Sequence, residues 1–289
     1  MPTSIRPTIC GICEKNPLPQ PNRYAAGIHD SKQGVIMPIP RYGAGAPSFL
    51  ALFAMLLVAG NGYALPRSDG PQALAESYRQ AVASPIRTEE DRSADARRKP
   101  QEFLQFADVR PGMKVMDIAA GGGYTTQLLA LVVGSNGTVW AQTPKLGQVL
   151  EQRLADHPQA NIVLVVRPFE DPVPDGVSGL DLITIVMNYH DIAYMPVDRV
   201  KMDRRLFDAL KPGGHLVVLD HSAKPGTGIS AAKSLHRIDE TVVKNELQQA
   251  GFRLEQESDF LRNPADPREQ AFFDMQIQTD KFALRFVKP

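Results

Sequence analysis

From residue 113 onward the chain predicts an α/β fold, a mostly parallel sheet with helices on both faces. Three observations carry that expectation. An apolar run, 113–118, stops at Gly121, Gly122 and Gly123 and gives way at once to a helical pattern, 124–133, in which Leu128, Leu129, Leu131 and Val132 recur at helical spacing. The runs 161–166 and 180–187 are almost wholly apolar, as strands covered on both faces should be. Strand and helix patterns then alternate, the arrangement that produces a parallel sheet with covering helices.

The chain has 289 residues, 43% hydrophobic and 22% charged, enough apolar content to bury a full core. Lys plus Arg equals Asp plus Glu at 32 each, which argues against a sequence-independent grip on nucleic-acid phosphates. No nucleic-acid partner is expected.

The N-terminal stretch reads as separate from the fold. Residues 48–59, SFLALFAMLLVA, form an uncharged run of about a dozen, short of the ~20 that span a bilayer. Arg41 precedes it, and Gly62-Tyr63-Ala64 supplies small residues where a signal peptidase reads. The expectation is a signal peptide over 37–64, cleaved after Ala64, with a periplasmic or secreted product that meets the membrane only in transit. A retained membrane anchor is the alternative. Residues 1–36 are Pro-rich and unlike a signal peptide's short basic start, so they read as an untranslated or disordered leader with Met37 as the start. Both cysteines, Cys10 and Cys13, lie in that leader, and a lone C-x-x-C is weak support for metal or redox chemistry.

Residues 65–90 read as a flexible, Pro-punctuated linker with a short helix at 73–82, and the folded domain as 91–289. Its first segment, 91–105, is a charged helix whose Arg97-Arg98-Lys99 run reads as a solvated face within reach of the glycine turn. Arg110-Pro111-Gly112 is a turn into the first strand. The second strand is 137–142, followed by a helix at 145–155 and the strands at 161–166 and 180–187. A helix at 197–210 leads through Lys211-Pro212-Gly213-Gly214 into a strand at 215–219. A helix at 238–250 ends at Gly251, and two further strands, 252–260 and 282–287, flank the polar segment 262–280.

The succession VMDIAAGGGY, GTVWAQ, DLITIVMN and LKPGGHLVVLD resembles the class I S-adenosylmethionine-dependent methyltransferases. Within them the chain looks like bacterial predicted methyltransferases that carry NYHD after the fourth strand and an N-terminal signal peptide. It is similar, more distantly, to quinone-biosynthesis and isoaspartyl methyltransferases. The likeness covers about 91–289 and implies a Rossmann-like seven-stranded sheet whose last strand is antiparallel. It also implies S-adenosylmethionine as cofactor and a small-molecule methyl acceptor, and leaves the oligomeric state open.

What the resemblance implies for the site follows residue by residue. Asp117 would fix the glycine loop and the cofactor's amino-acid part, Gly121 and Gly123 would allow close backbone approach, and Ala119 stands where the family often has glycine. Its extra methyl group requires negative dihedrals for the turn to form. Gln142 occupies the position where an acidic residue usually binds the ribose. Phe169 and Glu170 would contact adenine, and Asn188 the cofactor near its sulfonium.

The remaining polar cluster points to chemistry. His190 could serve as a general base, Tyr189 could orient the acceptor, and Asp191, His221 and His236 lie at strand ends or loops on the same side of the sheet, where ligands bind in such folds. Imidazole and carboxylate groups also suit a metal, but no HxxxH or HxxEH spacing supports one and none is expected. The rival to a methyltransferase is an exported binding protein, or a non-methylating enzyme that retains the fold, with Ala119 and Gln142 as marks of a decayed cofactor site.

Overall fold

The computed structural model describes residues 70–289. The signal segment, the cysteine pair and the proposed cleavage point lie outside the described residues.

Among the described residues three helices precede the sheet: α1 (Pro71–Ala83), α2 (Glu89–Arg98) and α3 (Pro100–Phe106). Much of the stretch expected to be a linker is therefore α1, whose Tyr78 and Ala81 are buried against Phe103, Leu104 and Leu128. The single charged helix expected at 91–105 is two helices. Thr88 and Asp91 form a capping box that starts α2, and the chain breaks at Lys99, which sits at φ 47° ahead of Pro100.

β1 (Lys114–Ile118), α4 (Tyr124–Val133), β2 (Thr138–Thr143), α5 (Gln148–Asp156), β3 (Ile162–Val166) and β4 (Leu180–Val186) follow as alternating units. Beyond them come α6 (Tyr189–Tyr194), α7 (Arg199–Ala209), β5 (Leu210–His221), α8 (Ala232–Leu235), α9 (Glu240–Gln249), β6 (Arg253–Ser258) and β7 (Lys281–Val287). The seven strands form one sheet in the order β3-β2-β1-β4-β5-β7-β6, with β1 to β5 parallel and β7 antiparallel to both neighbours.

Side-chain alternation divides the core between the two faces. Val115, Val139, Leu182 and Val217 pack beneath α1, α3 and α4, whereas Met116, Ile118, Ile183 and Leu216 pack beneath α6, α7 and α9. β5 begins earlier than its apolar run suggests. Leu210 already pairs with Leu180, and Gly213, at φ 74°, carries the strand through a bulge before Leu182 meets His215. β3 departs from the double coverage its sequence implies, because it is an edge strand whose Val163 and Val166 are 41% and 53% exposed. Among the described residues no helix is long and apolar enough to cross a membrane.

Candidate active site

The carboxyl ends of β1, β4 and β5 converge, and the first of these is occupied by structural bonding. Asp117 points to the α4 face, where Oδ2 accepts from the Thr126 hydroxyl at 2.6 Å and Oδ1 from the Thr184 hydroxyl at 2.8 Å. Burial pushes its pKa up to about 6 although those hydroxyls and Arg98 favour the charge. One oxygen thus holds the strand to the first turn of α4 and the other holds it to the neighbouring β4. Gly123, at φ 84°, starts that helix without a side-chain cap; a Cβ there would lie 2.9 Å from Leu150 and Arg153. Gly121, at φ 55°, has only the Ala119 carbonyl oxygen within 4 Å of a built Cβ, so its backbone is open to a ligand.

Arg153 fastens the turn from behind. Its guanidinium donates to the Gly122 carbonyl at 2.6 Å and to Gln127 at 2.8 Å, and pairs with buried Asp91 at 2.6 Å.

Two expectations at this end are corrected. Ala119 takes φ 56°, not a negative value, a left-handed conformation that costs an alanine about 1–2 kcal/mol. It is held there because its N–H donates to Gln142 Oε1 at 3.0 Å and its carbonyl accepts from Asn188 Nδ2 at 3.3 Å. Gln142 is fully buried, and its amide nitrogen donates to the Arg167 carbonyl at 2.7 Å, so it braces the turn and does not face a ribose. Thr143, next along β2, turns its hydroxyl to the Lys145 carbonyl. Phe169 is buried with Val165 and Val173 in the sheet's core and is not free to cover an adenine ring, while Glu170 is half-buried in the following turn.

The other end holds open chemistry. A cavity of about 400 Å³ is lined by Arg98, Met187, His190, Asp191, His221 and Lys281, with Phe272 and Thr279 from the segment before β7. His190 is buried, and Asp220 clamps it twice, accepting from its backbone N–H at 2.8 Å and lying 2.6 Å from Nδ1. Its Nε2 lies 3.2 Å from Asp191 Oδ1 yet has no hydrogen-bond partner among the described residues. Burial alone would lower the His190 pKa, but Asp220 and Asp191 outweigh it and raise it to about 10. The ring therefore carries its proton at neutral pH in the ligand-free protein, in place of the free base expected.

The histidines do meet. The His190 ring lies 5.8 Å from that of His221 and 5.5 Å from that of His236, and His236 Nδ1 is 2.9 Å from Asp191 Oδ1. His221 stacks on Phe272 at 4.7 Å and bonds Thr279 through Nδ1; burial and nearby cations hold its pKa well below the ordinary value. Tyr189 is turned away. Its hydroxyl reaches Glu246 at 2.7 Å and Asp203 at 3.2 Å between α7 and α9, so it braces α6 and does not meet a ligand in the cavity.

Sequence reasoning missed two cations. Arg98 points inward over the Tyr124 ring at 4.6 Å, with no carboxylate partner among the described residues, and is not part of a solvated face. Lys281 is 5% exposed, its ammonium donates to the Thr279 carbonyl, and burial pushes its pKa down to about 8. The one available signal was a lysine heading an apolar strand, and its meaning depended on the pairing of Lys281 with His221.

Residues 72–244 match the protein-L-isoaspartate(D-aspartate) O-methyltransferase family. The chain is 30% identical over 172 residues to the ubiquinone/menaquinone biosynthesis C-methyltransferase UbiE of Ectopseudomonas mendocina, covering 58% of this chain and 64% of that one. Its counterpart in Burkholderia multivorans is 33% identical over 118 residues, 40% of this chain and 46% of that one. The chain thus spans between about half and two thirds of these relatives. A SAM-dependent methyltransferase from Aquifex aeolicus shares the fold at a TM-score of 0.52, 17% identity, and coverage of 74% of this chain and 98% of that one.

The residues present fit S-adenosylmethionine at its amino-acid end, through the open backbone of Gly121, the uncapped start of α4 and the unpaired Arg98. The end of β2 adds no carboxylate for the ribose. The fold, the ordered motifs and the match over most of the described residues agree: the chain belongs to the protein-L-isoaspartate(D-aspartate) O-methyltransferase family of S-adenosylmethionine-dependent methyltransferases.

Proposed function

We propose that the protein transfers a methyl group from S-adenosylmethionine to an oxygen or carbon of a small molecule held in the cavity beyond β4 and β5. The observation that carries this reading is the division of the site: a rigid glycine turn beside a cavity in which His190, held by Asp220, offers a polar atom without a partner. The cofactor supplies an electrophilic methyl group on a cationic sulfonium. The chain's residues then have two tasks. Gly121, the start of α4 and Arg98 hold the amino-acid end, while His190 and its neighbours hold the acceptor's reacting atom at near-attack distance.

Calorimetry with S-adenosylhomocysteine is the test, and folded protein that does not bind it defeats the reading in favour of a binding protein or a non-methylating enzyme. His190→Ala should lower turnover by about 10²-fold while changing cofactor-product affinity by no more than about twofold.

The N-terminal pattern adds export, with cleavage after Ala64. Export stands in tension with a cofactor made in the cytosol, and cell fractionation with mass spectrometry of the mature N-terminus tests it. An intact N-terminus in the cytosolic fraction defeats the export reading.

A further inference from the structure

Two side chains that line the cavity, His190 and Asp191, and a third beside them, His236, share a geometry that methyl transfer from a sulfonium does not require. His190 Nε2 and Asp191 Oδ1 are 3.2 Å apart, His236 Nδ1 and the same oxygen are 2.9 Å apart, and all three atoms lie within 4.8 Å of one another. Ligands about 2.0–2.2 Å from one ion are separated by about 3 Å when they subtend a right angle and slightly more in a tetrahedron. The two short separations are of that size.

We propose that His190 Nε2, Asp191 Oδ1 and His236 Nδ1 bind one divalent transition-metal ion of the zinc or iron class, with its remaining positions open to the cavity. Two imidazoles and one carboxylate favour such ions over magnesium, which prefers oxygen ligands. Three further observations support the site. Among the described residues His190 Nε2 is one of three buried side-chain polar atoms left without a hydrogen bond, and an ion would fill that gap. Asp220, at 2.6 Å from His190 Nδ1, stands where metal-bound histidines commonly have an orienting carboxylate. His236 is held at φ 51°, which brings its ring to Asp191 from a separate loop.

Binding displaces the hydrogens on His190 Nε2 and His236 Nδ1, and the protons go to solvent. The ion would then hold an acceptor oxygen and favour its ionised form, making His190 a ligand in place of a base. Lys281, on the wall of the same cavity, is placed to meet a second anionic group of that acceptor.

The test is independent of the cofactor. The full chain carrying Cys10→Ser and Cys13→Ser, so that the leader's thiols cannot contribute, is stripped with chelator and titrated with Zn²⁺ near neutral pH without S-adenosylmethionine. One equivalent should bind. His236→Asn, which tolerates the left-handed backbone, and Asp191→Asn should each weaken binding about tenfold or more. His157→Ala, at the end of α5 and outside the cavity, should leave it unchanged. Circular dichroism checks that each variant is folded. Folded parent protein that takes up no zinc, or binding unaffected by both cavity replacements, overturns the site. A failed S-adenosylhomocysteine titration beside normal zinc uptake would instead defeat only the methyl-transfer reading.

Discussion

The glycine turn and the histidine cavity are neighbours at the same edge of one sheet, but their polar side chains are used differently. Around the turn, Asp117, Gln142 and Arg153 each spend their hydrogen-bonding groups on protein partners. In the cavity, and among the described residues, His190 keeps a free ring nitrogen, the Lys281 ammonium makes one hydrogen bond and Arg98 has no carboxylate partner. The contrast separates scaffold from chemistry. The turn offers a ligand chiefly backbone, whereas the cavity offers side chains that a ligand would complete.

The comparison can be broken most forcefully at Arg153. Arg153→Met should destabilise the fold by about 3–5 kcal/mol, because it leaves the Asp91 carboxylate buried and unpaired. Chemical denaturation reads this directly, and a small loss would mean the turn is not braced from behind. Gln142→Glu comes next. It restores the acidic character common in the family, yet it turns a carboxylate oxygen toward the Arg167 carbonyl in a fully buried site. The expected result is a loss of about 3 kcal/mol with no gain in cofactor affinity; tighter binding would return Gln142 to the ribose site. Ala119→Gly should stabilise by up to about 1 kcal/mol, the relief of a left-handed alanine less the greater freedom of glycine when unfolded.

A further effect depends on pH. Burial, and then the charge of Glu246, push the Asp203 pKa up to about 8. A carboxyl raised in the folded state favours folding most below its unfolded pKa of about 4, and that contribution is lost as pH rises toward 8. Asp203→Asn should therefore gain thermal stability relative to wild type as pH moves from 5 to 8. A constant difference between their melting temperatures across that range would show that Asp203 is ionised throughout.

The sheet was legible because period-two and period-3.6 patterns are local; 124–133 is helical to the residue, and β1 to β4 begin or end within a residue or two of their apolar runs. Composition misled at β3, where an apolar run marks an exposed edge; the short helix expected at 73–82 is α1, but its packing against α3 and α4 was not legible locally. Within the site, the meeting of His190, His221 and His236 followed from strand order, since all three leave the same edge. Side-chain direction did not follow. Tyr189 and His190 are adjacent on one helix and point to opposite sides of it, Gln142 turns back onto the Ala119 N–H and the Arg167 carbonyl, and Arg98, at the end of α2, turns inward over the Tyr124 ring.

The division between a backbone-held cofactor and a side-chain-held acceptor is tested most directly by titrating S-adenosylhomocysteine into three folded proteins, the wild type, Gly121→Val and His190→Ala. A β-branched residue at φ 55° should close the open turn. The account predicts equal binding by wild type and His190→Ala and loss of binding by Gly121→Val; undiminished binding by Gly121→Val, with loss in His190→Ala, would contradict it.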